Sequence, residues 1–583
     1  MNALSTPITQ PLTHHELNKA RSNFLRGTLA ASLADELTGA LAPDDAQIGK
    51  FHGFYEQDDR DHRADRRERL LEPEYSFMLR ARLPGGVCTP AQWLTIDRIG
   101  RELAQGSVRL TTRQTFQYHG IPKGDLRSVI QGIHQVLLDS LGGCGDVNRN
   151  VMCNPNPDQS ALHAEVYGWA RRISEHLLPR TRAYSELWLD GELVAGGEAS
   201  APGVGPESEP LYGATYLPRK FKAAVAVPPH NDVDVYANDL GFIAIADPAD
   251  PARLLGFNVL AGGGMGTTHG DTSTFPRLAD DLGFVPPEQV LAVAEAVLTT
   301  QRDFGGRGDR IHARLKYTVE RMGLPAFRAE VERRAGIGFA PPRPIAFTDH
   351  GDRYGWTRGT AGRWHLTLFI ENGRLRDLPG HTLLSGLRAI AEVHQGDFRI
   401  TPNQNLIVAG VPARQKKRIE ALAREHGLLA DGLTPVRLGA MACVALPTCP
   451  QAMAEAERYL PDLLTRVEAL ATGHGLAGQE IVIRMTGCPN GCARPFLAEI
   501  ALVGKGPRTY NLLLGGDGSG TRLNKLYRDN IAEAEILDTL DALFARYAAE
   551  RTGSAGTWER FGDFVVRAGI VRRVAHAASD FHD

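Results

Sequence analysis

A segment of this sequence recurs further along the chain, and the repeat limits what the chain can fold into. Arg109–Phe116 matches Arg399–Leu406 at a spacing of 290 positions. A later segment, Gly256–Gly263, matches Thr509–Gly516 at a spacing of 253. Matches in the same order predict an internal duplication. Its halves would pack about a pseudo-twofold axis and leave a crevice between them, and such crevices are where cofactors usually bind.

Cys153 and Cys443 are also separated by 290 positions. Each copy alternates strand-like and helix-like segments, so we expect an α+β fold. The longest helix candidates, Pro287–Asp303 and Ala532–Glu550, have apolar residues at three-to-four spacing.

Composition excludes several classes of protein. The 583 residues carry a net charge of −3 and 43% are hydrophobic, which argues against a disordered or fibrous chain. No overall field would attract nucleic acid or an anionic membrane. Seven cysteines, an odd number, argue against a secreted disulfide scaffold. With no membrane-length apolar stretch and no signal peptide, we expect a soluble, cytoplasmic protein.

The amino-terminal part of the chain is polar. Residues 56–69 form a charge run with both signs and no apolar face. This pattern predicts a solvated arm, and a role in contacting a partner stays open.

Four cysteines form two close pairs in Gly- and Pro-containing loops. Cys443 and Cys449 are separated by five residues, and Cys488 and Cys492 by three. Four thiolates suit either zinc or an iron–sulfur cluster, and spacings wider than the usual zinc knuckle favour a [4Fe–4S] cluster. The other cysteines have no partner spacing and are expected to be small core residues: Cys88, Cys144 and Cys153.

These pairs resemble the cluster-binding signature of the siroheme-dependent sulfite and nitrite reductases. The resemblance spans nearly the whole chain and is nearer to the hemoprotein (β) subunits of NADPH-dependent assimilatory sulfite reductases than to the nitrite branch. Further matching segments are His52–Asp61, Arg82–Gly86, Arg109–Gly120, Asn148–Cys153 and Tyr216–Lys222.

The resemblance implies two cofactors, siroheme and a [4Fe–4S] cluster. All four paired cysteines would ligate the cluster, and Cys492 would also be the axial thiolate of the siroheme iron. A shared sulfur would couple the cluster to the site where electrons are consumed. Ala493 stands where a glycine is expected after Cys492, and Pro495 stands where a small non-proline residue is expected.

The resemblance also assigns basic residues. Arg82, Arg149, Lys220 and Lys222 would face the substrate, sulfite, where arginine binds oxyanions and lysine can also give a proton. Further residues implied in siroheme binding are Arg109, Arg113, Thr115, His119, Arg307 and Arg310. A solvated strand or helix face is the alternative reading for these side chains.

The resemblance gives an internally duplicated nitrite/sulfite reductase fold with pseudo-twofold halves around a central cofactor crevice. Its expected parts follow in chain order: an arm at 1–72 for possible partner docking, a ferredoxin-like half-domain at 73–145, a siroheme- and substrate-binding domain at 146–345, a second ferredoxin-like half-domain at 346–425, and a cluster- and siroheme-binding domain at 426–583. In the second copy Asn403 replaces Arg113, which suggests that one half kept a full site.

The chain shows no nucleotide-binding glycine motif of its own. Neither Ala261–Gly266 nor Gly515–Gly520 fits the dinucleotide pattern. Electrons must then come from another protein, which by resemblance is an NADPH-dependent flavoprotein (α) subunit carrying the flavins in a hetero-oligomer. The implied reaction is six-electron reduction of sulfite to sulfide for cysteine biosynthesis. A siroheme nitrite reductase and a non-catalytic iron–sulfur or zinc protein remain the alternatives.

Overall fold

Four β-sheets organise the chain in a computed structural model that describes residues 12–184, 207–554 and 556–582. Two of them, sheets A and C, are antiparallel throughout. Sheet A has the order β1 (Phe54–Asp58), β2 (Tyr75–Arg80), β5 (Phe116–Ile121), β4 (Ser107–Leu110), β13 (Arg374–Leu378) and β14 (His381–Thr382). Sheet C has the order β11 (Gly355–Arg358), β12 (Trp364–Leu368), β16 (Leu406–Val411), β15 (Asp397–Ile400) and β3 (Val87–Cys88).

Sheets B and D share a second, mixed arrangement. Sheet B consists of β6 (Met152–Cys153), β7 (Ala223–Ala226), β8 (Leu240–Asp247), β9 (Asp250–Ala261) and β10 (Asp280–Val285). Sheet D consists of β17 (Met441–Ala442), β18 (Ile483–Thr486), β19 (Ile500–Gly506), β20 (Thr509–Leu514) and β21 (Lys525–Ile531). In each sheet the first three strands are parallel to one another, and each of the last two pairs antiparallel with the strand before it.

The repeated topology confirms the duplication predicted from sequence. Strands β4 and β5 lie 290 positions before β15 and β16, and the second repeat falls on β9 and β20. The copies also exchange strands. β3, which follows β2 of the first copy, pairs with β15 of the second, and β13, which follows β12, pairs with β4 of the first.

Matching glycine turns make this exchange possible. Gly86 and Gly373 have φ angles of 75° and 72°. A Cβ on Gly86 would lie 2.6 Å from the carbonyl oxygen of Ile400, and one on Gly373 would lie 2.3 Å from that of Leu110. Ile400 and Leu110 are themselves 290 positions apart. Each turn therefore passes so close to the other copy's strand that only glycine fits.

Helices cover the sheets. The two long helices predicted from sequence are confirmed and span Val290–Phe304 and Glu533–Glu550. The other described α-helices are His14–Arg21, Leu29–Ala34, Pro43–Ile48, Arg63–Glu68, Pro90–Leu103, Leu126–Gln135, Ala161–His176, Leu315–Met322, Leu324–Ala335, Leu383–Val393, Lys416–Glu425, Pro435–Leu438, Leu460–Gly473, Phe561–Arg567 and Ala577–Asp580.

Aromatic packing joins the copies through the core. Trp93 is fully buried on Pro90–Leu103, a helix that begins with a capping box at Thr89. Its ring centroid lies 5.6 Å from that of Phe116 in sheet A and 5.1 Å from that of Phe398 in sheet C. One side chain thus packs against both antiparallel sheets. No helix among the described residues is long and apolar enough to cross a membrane.

The amino-terminal segment differs from a solvated arm. Residues 54–58 form β1 and pair with β2, and Phe54, Gln57 and Asp58 are buried there. Helix His14–Arg21 packs on the body through Lys19, whose ammonium is buried and donates to the carbonyl of Leu217 at 2.7 Å. Residues 61–69, which include helix Arg63–Glu68, match the exposed, charged character expected for the run.

A substitution can test the exchanged turns. Gly373→Ala should lower the free energy of unfolding by about 1–3 kcal/mol more than Gly380→Ala, because Gly380 has a similar φ of 80° but no atom within 4 Å of the added Cβ. Urea denaturation followed by circular dichroism measures both. Equal losses would show that the close approach to Leu110 costs nothing.

Candidate functional site

The four paired cysteines come together at one edge of sheet D. Cys443 follows β17, while Cys488 and Cys492 follow β18, and these strands are parallel neighbours whose carboxyl ends adjoin. The amide of Cys443 donates to the carbonyl of Met485 at 3.1 Å. Burial, together with the charges of Cys492, Cys488 and Cys449, raises the pKa of the Cys443 thiol. The N–H groups of Met453 and Ala454 donate to the carbonyl of Gly487 at 2.7 and 3.0 Å, which holds the two cysteine loops together.

Nitrogen donors point at the sulfurs. The backbone N–H of Gly487 lies 3.3 Å from Cys443 Sγ, and Asn490 Nδ2 lies 3.4 Å from Cys488 Sγ. A Cβ on Gly487 would lie 2.5 Å from that of Ala445, so a glycine is required there. N–H donors to sulfur stabilise thiolates and tune cluster potentials.

The donor set fits a [4Fe–4S] cluster. Within residues 12–184, 207–554 and 556–582, no group of three or more His, Cys, Asp or Glu side chains is arranged to hold a single metal ion. A cubane needs no such group, because each of its irons takes one cysteine.

Cations gather beside Cys492. The structure brings four sequence-predicted residues together there, namely Arg113, Arg149, Lys220 and Lys222. Burial, followed by Arg219 and Arg314, lowers the pKa of Lys220 to about 7, while the Cys492 thiolate opposes the shift. Neither lysine has a carboxylate partner in the described part of the chain.

Arg113 likewise forms no ion pair among the described residues, although the charge of Asp239 opposes the fall in its pKa. Its guanidinium donates to Asn238 Oδ1 at 2.7 Å and to the carbonyls of Ala223 and Asn150 at 2.7 and 3.0 Å. Burial and the neighbouring arginines lower its pKa to about 9. A group of repelling, partly buried cations is stable only with anions present. The eight carboxylates of siroheme fit this requirement.

Arg80, rather than Arg82, belongs to this group. The side chain of Arg82 pairs with Asp139, through Nε at 2.9 Å, and donates to Ser174 at 3.2 Å, so the structure does not support the expected substrate contact. Arg80 and Arg149 share the carbonyl oxygen of Gly143 at 3.3 and 3.4 Å. Arg80 Nε is buried without a partner.

Arg109 and His119 lie behind the cluster loop. Arg109 pairs with Glu457 at 2.8 Å and donates to the carbonyl of Ala442, next to Cys443. Although burial opposes it, Arg374 and Arg109 hold the pKa of Glu457 below its usual range. Burial, followed by Arg374 and Arg109, lowers the pKa of His119 well below its usual range, so this histidine is neutral.

Three other predicted cofactor contacts have protein partners instead. Thr115 donates its hydroxyl to the carbonyl of Ala81. Arg307 pairs with Glu16 of the first helix and donates to the carbonyl of Tyr216 at 2.6 Å. Arg310 pairs with Asp146 at 2.8 Å. Arg307 and Arg310 thereby hold the segment that carries Lys220 and Lys222 in place through the carbonyls of Tyr216 and Pro218.

Sequence reasoning missed three members of the cation group. They are Lys50, Arg80 and Arg219, with Tyr55 beside Lys50. Arg314, from the basic stretch after helix Val290–Phe304, also belongs to the group and pairs with Asp239 at 2.8 Å. Tyr55 lies on β1, within the segment that the sequence predicts to be an arm. Residues two positions apart on a strand face the same side, so the expectation for Arg82 could also have drawn attention to Arg80, at the end of β2.

Ala493 and Pro495 both fit the local structure after Cys492. Ala493 is fully buried, and Pro495 occupies the first position of the 3₁₀ helix Pro495–Leu497. Proline is tolerated at that position because its missing N–H would have no partner there.

Comparisons with known proteins find similar chains over nearly the full length. The model "Nitrite and sulphite reductase 4Fe-4S domain" matches residues 168–339, and "Nitrite/Sulfite reductase ferredoxin-like half domain" matches 70–136 and 357–426. A sulfite reductase [NADPH] hemoprotein beta-component from Thiocapsa roseopersicina is 67% identical over 99% of this chain and 100% of its own length. One from Shewanella denitrificans is 60% identical over 98% of this chain and 99% of its own.

A solved structure shares the fold. The Mycobacterium tuberculosis NirA protein matches with a TM-score of 0.75 and 23% identity, covering 96% of this chain and 97% of that one. The duplicated ferredoxin-like halves and mixed sheets seen here are therefore the nitrite/sulfite reductase fold.

The pKa of Lys220 predicts a pH-dependent affinity for anions. Because this pKa is about 7, Lys220 loses its charge as the pH rises through neutrality, and bound anions lose an attraction. Affinity for sulfate, whose charge is constant over this range, should fall between about pH 6 and about pH 9 when measured by calorimetry. Lys220→Met should bind more weakly with a shallower slope, while the exposed Lys417→Met should match the native protein. A native slope in Lys220→Met would contradict the assignment.

Proposed function

The chain belongs to the nitrite and sulfite reductase family, and from this premise we propose that it is a sulfite reductase hemoprotein that reduces sulfite to sulfide with six electrons. One observation carries the proposal. Four cysteines on two adjoining loops lie beside a group of partly buried cations, and Cys492 contacts that group; Lys220 and Lys222 have no carboxylate partner among the described residues. The full-length relatives support sulfite as the substrate.

Cys443, Cys449, Cys488 and Cys492 would hold the [4Fe–4S] cluster, with Cys492 also reaching the siroheme iron. When bound, these groups supply an iron that takes the sulfur of sulfite and a store that delivers electrons singly. Arg113, Arg149, Lys220 and Lys222 supply positive charge around Cys492, for the carboxylates of siroheme and the oxygens of sulfite.

Proton supply is the second task of the pocket. Reduction of SO₃²⁻ to H₂S consumes six electrons and eight protons and releases three waters. Lys220, with a pKa of about 7, can give a proton to a leaving oxygen and regain one from water at neutral pH. Burial and the charge of Lys220 lower the pKa of Lys222 as well, so the pair can share this role.

The electrons would come from a partner. The name "hemoprotein beta-component" of the relatives implies an alpha component, and we propose an NADPH-dependent flavoprotein that forms a hetero-oligomer with this chain. NADPH and flavins would bind that subunit only. Cytoplasmic location and the assignment of residues 1–72 to partner docking stay predictions from sequence.

The alternatives are not favoured. The relatives that match nearly the full length at 60% to 67% identity are named for sulfite, which argues against a nitrite reductase. The cation group beside Cys492 has no purpose in a zinc-stabilised or purely electron-carrying protein.

Purified chain supplied with a reduced dye should convert sulfite to sulfide without the partner. Its absorption spectrum should show siroheme bands. Cys492→Ser should lose the siroheme bands and sulfide production together, because one sulfur is proposed to serve both groups. Sulfide production at the native rate by Cys492→Ser would refute the shared ligand, and a native protein without siroheme bands would refute the function.

Arg80 and Arg82 should behave differently when each is changed to methionine. Arg80→Met should raise the KM for sulfite on the order of tenfold or more, since it removes a charge beside Arg149. Arg82→Met should leave that KM near the native value and lower stability, because Asp139 loses its partner. Steady-state kinetics with the dye and thermal unfolding measure the two effects. The reverse pattern would restore Arg82 to the substrate site.

A further inference from the structure

One arginine joins both copies of the chain at the cysteine loop. Arg494 lies two residues after Cys492, is 7% exposed, and has a φ of 51°. Its guanidinium donates to the carbonyl of Thr112 at 2.9 Å and to that of Pro402 at 3.0 Å. Thr112 and Pro402 are 290 positions apart and lie in the equivalent loops β4–β5 and β15–β16. The side chain of Arg494 therefore sits on the pseudo-twofold axis.

The position equivalent to Arg494 in the first copy carries the opposite charge. Asp234 lies 260 positions earlier, has a φ of 46°, and precedes the 3₁₀ helix Val235–Ala237 as Arg494 precedes Pro495–Leu497. Asp234 is fully buried and pairs with Arg494. Arg484 at 2.7 Å and His350 at 2.8 Å complete its contacts. Two like charges would repel here, so the copies had to diverge at this position.

A short path of hydrogen bonds leads from this arginine to Cys492. The hydroxyl of Thr112 donates to the carbonyl oxygen of Cys492 at 3.0 Å, and the N–H of Arg494 donates to the carbonyl of Gly491 at 3.0 Å. Thr112 is thus held by Arg494 on its backbone side and holds Cys492 with its side chain. The loop is fixed to the first copy at the residue that carries the shared sulfur.

We propose that Arg494 is a positioning residue that fixes the sulfur of Cys492 between the cluster and siroheme, an inference that rests on the proposed function. Arg494 ties the cysteine loop to both hairpin loops, and Thr112 transmits that constraint to the Cys492 backbone. Asp234 keeps the guanidinium oriented toward both carbonyls. The ion pair thereby sets the geometry through which electrons pass from the cluster to the substrate.

Two variants of the full-length holoenzyme test this role. Arg494→Lys keeps the charge beside Asp234 but cannot reach both carbonyls, and Thr112→Val removes only the bond to Cys492. Both should bind cluster and siroheme, shift the siroheme absorption bands and midpoint potential, and lower kcat by roughly ten- to a hundredfold with little change in sulfite KM. The stronger effect is expected for Arg494→Lys, which loses contacts to both copies.

Arg399→Lys is the matched control, because Arg399 is 1% exposed and pairs with Asp158 at 2.8 Å but contacts no cysteine loop. It should lower stability without changing the bands, the potential or kcat. Native bands and potential in both Arg494→Lys and Thr112→Val would overturn the positioning role while leaving the proposed function intact. Absence of siroheme bands from the native protein would instead overturn the proposed function.

Discussion

Repulsion between cations in one partly buried pocket is the constraint on which the rest of this structure depends. Lys220, Lys222 and Arg113 lie together and form no ion pair within the described part of the chain, and burial followed by the neighbouring cations lowers the pKa of Lys220 to about 7 and that of Arg113 to about 9. A fold holds such a pocket open only if its frame is stabilised elsewhere. Buried ion pairs, such as those of Asp234 and Glu457, and the core around Trp93 supply that stability.

The duplication produced two equivalent sets of sheets, and divergence between the copies placed the positive charges of the pocket in the first copy. The pairing of Arg80 with Gln117 in sheet A corresponds to the pairing of Thr367 with Ile407 in sheet C. Arg113 likewise corresponds to Asn403, whose amide donates to the carbonyl of His350. A cavity of about 160 Å³ lies beside Thr367 and Ile407 in the second copy. The expectation that one copy kept a full site agrees with these neutral replacements.

Local pattern and local repeat were enough to predict much of this molecule. The duplication, the long helices and the convergence of the cysteine pairs follow from spacing alone, because each depends on a periodic or loop-forming signal. Side-chain partners did not follow. Nothing near Arg82 in sequence indicates that Asp139 neutralises it, and nothing near Arg307 indicates Glu16. Such pairs join distant segments, and only the folded chain shows which cations remain unpaired.

β3 and β13 each pair with a strand of the opposite copy, and this exchange bears on how the chain arose. A polypeptide with a single copy would lack the strand that completes its own antiparallel sheet and would have to take it from a second molecule. The present arrangement is what fusion of such a strand-swapped homodimer produces. In a symmetric homodimer the equivalent positions carry the same residue. After fusion they can differ, as Asp234 and Arg494 do here. Asymmetry at the centre of the enzyme is thus a property that a symmetric dimer could not have acquired.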